Sequence, residues 1–285
     1  MTDARSLAGA YAHCEQLARA HYENFPVASR LLPAPMRPHI AAIYAFARTA
    51  DDFADEPGLS APERLGLLDM WGRKLRAHSS EDPVFLALAN TIRQHHLPVS
   101  LFEDLLSAFT QDVTTSRYER WTDILDYCRR SANPVGRLVL RVAGYDDPRL
   151  DRASDAVCTA LQLTNFWQDL ERDWTIGRLY VPAEDRQQAG ARDEDLSARR
   201  MTAEWRQVMS VMVERTRELF AKGRPVCDGV SGRLRWELRL TWLGGAKILD
   251  KLERAGFDVF HNRPTVGKGD VPALIRGALL WGVRP

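Results

Sequence analysis

Two stretches of this chain repeat one pattern: a pair of aspartates one helical turn apart. The first, Tyr44-Ala-Phe-Ala-Arg-Thr-Ala-Asp-Asp-Phe-Ala-Asp55, is alanine-rich and holds neither glycine nor proline. At about 100° per residue, Tyr44, Arg48, Asp51 and Asp55 share one helical face. Stacking Asp51 above Asp55 costs a helix a few tenths of a kcal/mol in like-charge repulsion, which a bound cation would offset. The second, Gln162-Leu-Thr-Asn-Phe-Trp-Gln-Asp-Leu-Glu-Arg-Asp173, spaces Gln162, Asn165, Asp169 and Asp173 by three, four and four residues, again one face. The residues between them (Leu161, Leu163, Phe166, Trp167, Leu170) are mostly apolar, so much of this helix should be buried. Buried carboxylates need cations or donors. Two such helices can face each other across a cavity. Clustered hard oxygen ligands there suit Mg²⁺, which binds through a few carboxylates, several waters and substrate phosphate. A lone DDxxD is more often a solvated acidic face; two aspartate pairs, one beside an Asn and a Gln, are harder to read that way.

The rest of the chain also has helical periodicity, with no strand-period alternation and no internal repeat beyond the paired motifs. Helices are expected over about 3–23, from Pro35 or Pro38 to a stop at Glu56-Pro57-Gly58, and over 61–78, 83–96 and 100–116, the last with Ser100 as N-cap. Residues 121–143 enclose Asn133-Pro134-Val-Gly136, which implies a kinked helix. The second motif helix is expected over 149–175. A polar run follows to about 198, read as a long loop that is either functional or disordered. Helices over 199–221 and 232–255 complete the set, with Gly244-Gly245 permitting close helix approach or a bend. The tail segment Val271–Trp281 reads as a short helix that seals a pocket or touches a membrane surface.

Of the 285 residues, 45% are hydrophobic, enough for a sizeable core. A net charge of +1 gives no global field to attract nucleic acid or anionic lipid. Four scattered cysteines without a CxxC argue against zinc or thioredoxin-like chemistry and fit a reducing cytoplasm. His95-His96 lacks a third ligand at usable spacing. No signal peptide is visible and no window approaches 18 apolar residues.

The DDFAD of residues 51–55 together with QLTNFWQDLERD of 162–173 resembles the squalene/phytoene synthase family, from about residue 10 to about 260. Within it, His21-Tyr-Glu-Asn-Phe-Pro-Val27 and the NFWQD form of the second motif are most similar to the bacterial branch that makes hydroxysqualene for hopanoids. The resemblance implies an all-α, single-domain isoprenoid-synthase bundle with a central active-site cavity. It implies Mg²⁺ held by Asp51, Asp55, Asn165, Asp169 and Asp173, with no NADPH, and a prenyl diphosphate (presqualene or farnesyl) as substrate. It nominates His21, Asn24, Arg48, Gln162, Asn165, Arg178 and Tyr180 for the diphosphate, and Tyr127 as lining the prenyl pocket. It also makes the 183–198 run a flap over the active site.

Some of these roles leave alternatives open. Arg48 can grip a diphosphate or pair with the aspartates, Asp52 can stand behind Asp51, and Tyr127 and His21 can be packing residues. Many family members carry a serine-lysine-serine run where this chain has Tyr22-Glu23-Asn24, and Arg172 stands where the second motif often has glutamate. The implied reaction is ionisation of presqualene diphosphate and water capture. Head-to-head condensation of two prenyl diphosphates is the alternative, and a non-catalytic scaffold the remote one. The expected location is the cytoplasm, with peripheral contact at the inner membrane face and with neighbouring enzymes of the pathway following from the greasiness of the substrate.

Overall fold

The computed structural model describes residues 6–20, 32–55, 58–77 and 82–282. Among them every named element is helical, and the one extended pairing is an isolated bridge between Arg117 and Leu179. The all-α expectation therefore holds. By contact the chain divides into two compact units, Met1–Thr114 with Pro134–Asp147, and Thr115–Asn133 with Pro148–Pro285.

In the first unit, α1 (Leu7–Ala20), α2 (Arg37–Asp55), α3 (Ala61–Arg76), α4 (Pro83–His95) and α5 (Val99–Thr114) pack around α2, which touches the other four. Alanine makes this possible: Ala41, Ala42, Ala45, Ala50 and Ala54 are buried, so neighbouring helices approach α2 closely. Pro38 sits in its first turn, where a missing N–H costs nothing. Phe46 anchors the core, with Phe85 and Phe102 edge-on at 6.0 and 5.4 Å and Trp71 stacked at 6.0 Å. Trp71 Nε1 donates to the Phe46 carbonyl at 3.2 Å. The ends of the helices follow their caps. Glu63 accepts from Ser60 N at 2.8 Å to start α3, and Asp82 accepts from Val84 N at 2.9 Å to start α4. Ser100 is not an N-cap. The Pro98 carbonyl already accepts from Leu101 N, so α5 begins at Val99.

The second unit is organised on α8 (Pro148–Gln168). It packs on α6 (Trp121–Ser131), α12 (Ala203–Gly223), α13 (Val226–Gly229) and α14 (Gly232–Arg254). Glycine sets two of these approaches. A Cβ on Gly223 would lie 2.5 Å from Val157 Cγ2, and one on Gly245 would lie 2.5 Å from Phe220 Cζ and 2.8 Å from Leu161 Cδ2. Gly244 meets nothing, so of the expected glycine pair only Gly245 serves close packing. The kink expected at Pro134–Gly136 falls earlier. Helix α6 stops at Ala132 and a new helix, α7 (Asn133–Val142), takes Pro134 into its first turn.

Two expectations need correction. The second motif helix is not continuous: α8 ends at Gln168, Asp169 leaves helical geometry (φ −102°, ψ 12°), and α9 (Leu170–Thr175) follows. The 183–198 run is not a loop but two short helices, α10 (Ala183–Ala189) and α11 (Asp193–Ser197). Each carries acidic residues in its first turn, favourable at a helix N-terminus, and Gly190 in a left-handed conformation ends the first. The polarity that suggested a loop is internally paired. Asp185 meets Arg215 at 3.0 Å, Asp195 meets Arg200 at 2.9 Å, and Asp193 meets both Arg186 and Arg117 at 2.6 Å.

Candidate active site

The first motif occupies the last three turns of α2. Arg48 reaches Asp52 at 2.6 Å and Asp51 at 3.5 Å, all three about one-third to two-fifths exposed. Asp52, expected only behind Asp51, is the closer partner because an i,i+4 step lets the guanidinium lie flat along the helix. Arg48 Nε is buried with no acceptor among the described residues, an orphaned donor that an anion would satisfy. Tyr44 is half-buried one turn earlier. Burial raises its pKa, Arg48 opposes the rise, and Asp51 and Asp52 add to it. Asp55 ends the helix, exposed.

The second motif lies at the break between α8 and α9. The i→i−4 ladder survives it, with Asp169 N bonding Asn165 O at 2.8 Å and Asp173 N bonding Asp169 O at 2.9 Å. Gln162 is half-buried and Asn165 exposed. Asp169 is gripped by both arms of Arg263, Nε to Oδ1 at 2.5 Å and Nη2 to Oδ2 at 2.9 Å. Burial first, then the adjacent Asp169 charge, pushes the Asp173 carboxyl up to about 7, with Arg178, Arg172 and Arg263 opposing. Arg178 follows the left-handed Gly177 (φ 83°), a turn that returns its N–H to the Asp173 carbonyl at 2.8 Å.

Arg263 was not among the sequence candidates, nor was the mesh around it. Gln168 Nε2 donates to the Pro264 carbonyl, and Arg199 joins Glu171 to the Phe260 carbonyl. Glu171, next to the Arg172 that stands where the motif often has glutamate, is thereby paired with Arg199. No spacing in the sequence signals Arg263, a single arginine before a proline in the tail.

Tyr127 and Tyr180 come together. Tyr180 stacks on Phe166 at 3.7 Å and 6°, Tyr118 lies 5.7 Å from Tyr180, and Tyr127 lies about as far from all three rings. All four are buried. The strip carrying Tyr180 is zipped to the segment before α6, with Leu179 N bonding Ser116 O and Ala183 N bonding Tyr118 O. His21 and Asn24 lie outside the described residues.

His95 faces His39 at 4.4 Å, not a metal set. Among the described residues no three His, Cys, Asp or Glu side chains cluster tightly enough to hold a metal alone. Paired carboxylates near arginines fit an ion that completes its shell with water and phosphate oxygens, the habit of Mg²⁺. No described helix is long and apolar enough to cross a membrane.

Comparison with known proteins shows what the chain is similar to. The family described as squalene/phytoene synthase matches residues 18–270. Hydroxysqualene synthase of Rhodopseudomonas palustris is 38% identical over 205 residues, 72% of this chain and 70% of its own. That of Sinorhizobium fredii is 34% identical over 233 residues, 81% and 80%. The crystal structure of squalene synthase HpnC from Alicyclobacillus acidocaldarius aligns at TM-score 0.83 and 42% identity, covering 88% of this chain and 96% of that one.

Proposed function

The chain belongs to the squalene/phytoene synthase family, enzymes that process prenyl diphosphates head to head, and we propose that its own reaction converts presqualene diphosphate to hydroxysqualene. In this reading the C–O bond to diphosphate breaks and the electron pair leaves with the diphosphate. The cyclopropylcarbinyl cation rearranges, and one water adds to carbon and gives up a proton. Atoms and electrons balance without a reductant, so NADPH is not required.

The residues divide the task. Asp51, Asp55, Asp169 and Asp173, with Asn165, would hold Mg²⁺, which when bound neutralises diphosphate charge and makes it a better leaving group. Arg48 and Arg178 donate to the departing diphosphate, as the orphaned Nε of Arg48 favours. His21, Asn24 and Gln162 are proposed contacts of the same anion. The rings of Phe166, Tyr180, Tyr127 and Tyr118 supply faces that attract a carbocation, and their burial keeps water scarce. The observation that carries the reading is this coupling in one segment: the 162–180 stretch presents two carboxylates beside arginines and, on the same turns, a stacked aromatic wall.

A paired product assay tests it. Purified protein in Mg²⁺ without NADPH receives presqualene diphosphate in one tube and farnesyl diphosphate in the other, and the lipids are read by mass spectrometry. Hydroxysqualene from presqualene diphosphate is the expected result. Presqualene diphosphate untouched, but formed from farnesyl diphosphate, would move the protein to the condensing branch.

A further inference from the structure

Among the described residues, five of the eight exposed large apolar side chains fall in one short stretch: Val266, Val271, Ile275, Leu279 and Leu280. Helix α15 (Val271–Leu279) carries three of them at i, i+4 and i+8, within about 80° of one another. They are 45%, 48% and 65% exposed.

This stripe is not a loose end. The neighbouring face of the same segment is fixed to α14. A Cβ on Gly277 would meet Leu243 at 3.2 Å, and Arg239 donates to the Ala278 carbonyl at 3.3 Å. The Trp281 ring sits edge-on to Trp242 at 5.3 Å under the guanidiniums of Arg224 and Arg239, at 4.5 and 5.4 Å. The protein thus holds an apolar stripe rigidly toward solvent, the pattern of a docking surface.

Charge identifies the occupant. Lys268 and Arg276 are exposed beside the stripe. The one acid in 266–282, Asp270, is committed to Lys251 at 2.6 Å and to the Gly267 N–H at 2.8 Å. A second copy docking stripe to stripe about a two-fold axis would set this cationic rim against itself. A bilayer with anionic headgroups complements both features. We propose that α15 docks this protein on such a membrane surface, Val271, Ile275 and Leu279 entering the headgroup–acyl boundary with Lys268 and Arg276 at lipid phosphates. The proposal rests only on the chain's acting on prenyl diphosphates, whose hydrocarbon tails partition into bilayers.

The full chain, without substrate, is sedimented with vesicles of phosphatidylcholine and of phosphatidylcholine mixed with phosphatidylglycerol. Binding to the mixed vesicles that weakens with salt is expected. I275E/L279E should lower partitioning about tenfold or more, and K268E/R276E should abolish the preference for phosphatidylglycerol. Circular dichroism checks that both variants fold. Failure of the wild type to bind either vesicle, or equal binding by wild type and I275E/L279E, overturns the proposal. So does a dimer on size-exclusion chromatography that I275E/L279E dissociates while vesicles stay unbound. Because no substrate is present, a negative result leaves the reaction assignment standing. I275E/L279E should turn over detergent-dispersed substrate at the wild-type rate, which separates docking from chemistry.

Discussion

The two aspartate motifs look alike as strings and differ as physical objects. On α2 the first member of the pair is met from its own helix: Arg48, three residues before Asp51 and four before Asp52, reaches both with all three groups partly exposed. At the α8–α9 break, Arg172 comes within 3.7 Å of Asp169 from the same motif, but the close contacts come from Arg263, 94 residues further on, closing both oxygens of Asp169. Asp173 beside it is buried enough to hold its proton to about pH 7. The same i,i+4 spacing therefore gives a pre-paired solvated edge in one unit and a tertiary clasp in the other. A local pair costs little to rearrange when substrate arrives, whereas the clasp ties the tail segment after α14 to the state of Asp169.

The largest effect should come from removing either motif's charge. Asp51→Asn and Asp169→Asn should each lower product formation about a hundredfold or more, measured as lipid product per enzyme, because both pairs are proposed to serve one leaving group. Thermal melts should separate them. Asp169→Asn should lower Tm because it loosens the Arg263 clasp, while Asp51→Asn should leave Tm nearly unchanged because Arg48 keeps Asp52.

Next in size is the aromatic wall, described only at the second motif. Phe166→Leu should cost about tenfold in turnover and broaden the mixture of carbocation products seen by mass spectrometry, because a ring face leaves the stack with Tyr180. A product profile identical to wild type would detach the wall from the chemistry.

These contrasts also mark what could be read from sequence. The aspartate faces and most helices were legible because periodicity and caps are local. The clasp was not, since one arginine in a tail has no period. The break at Asp169 was hidden because neither proline nor glycine marks it. Helices α10 and α11 were missed because their acids are paired with Arg215 and Arg117, partners that only folding brings close. Of the site, both carboxylate pairs, Arg48, Tyr127 and Tyr180 were nominated, whereas Arg263, Arg199 and the Phe166 stack needed coordinates.

A smaller effect should appear in pH. Burial first, and then the facing His95, lowers the pKa of His39, whose Nδ1 lies 3.0 Å from Thr91 Oγ1 and 3.1 Å from Tyr11 OH. The unfolded histidine takes a proton near 6.5 that the folded one resists, so stability is flat above that pH and falls as pH drops below it. Tm should decline from pH 6.5 toward 5, and His39→Gln should flatten the decline. A slope unchanged by His39→Gln would assign the acid sensitivity elsewhere. The smallest effect belongs to Asp52→Asn, within about 0.5 kcal/mol by urea denaturation, since partly exposed ion pairs contribute little.

The contrast itself is tested most directly by two double-mutant cycles in urea, Asp169→Ala with Arg263→Ala and Asp51→Ala with Arg48→Ala. The account predicts a coupling of about 1–2 kcal/mol for the bidentate clasp and under about 0.5 kcal/mol for the helix-local pair. Equal couplings, or a larger one on α2, would contradict it.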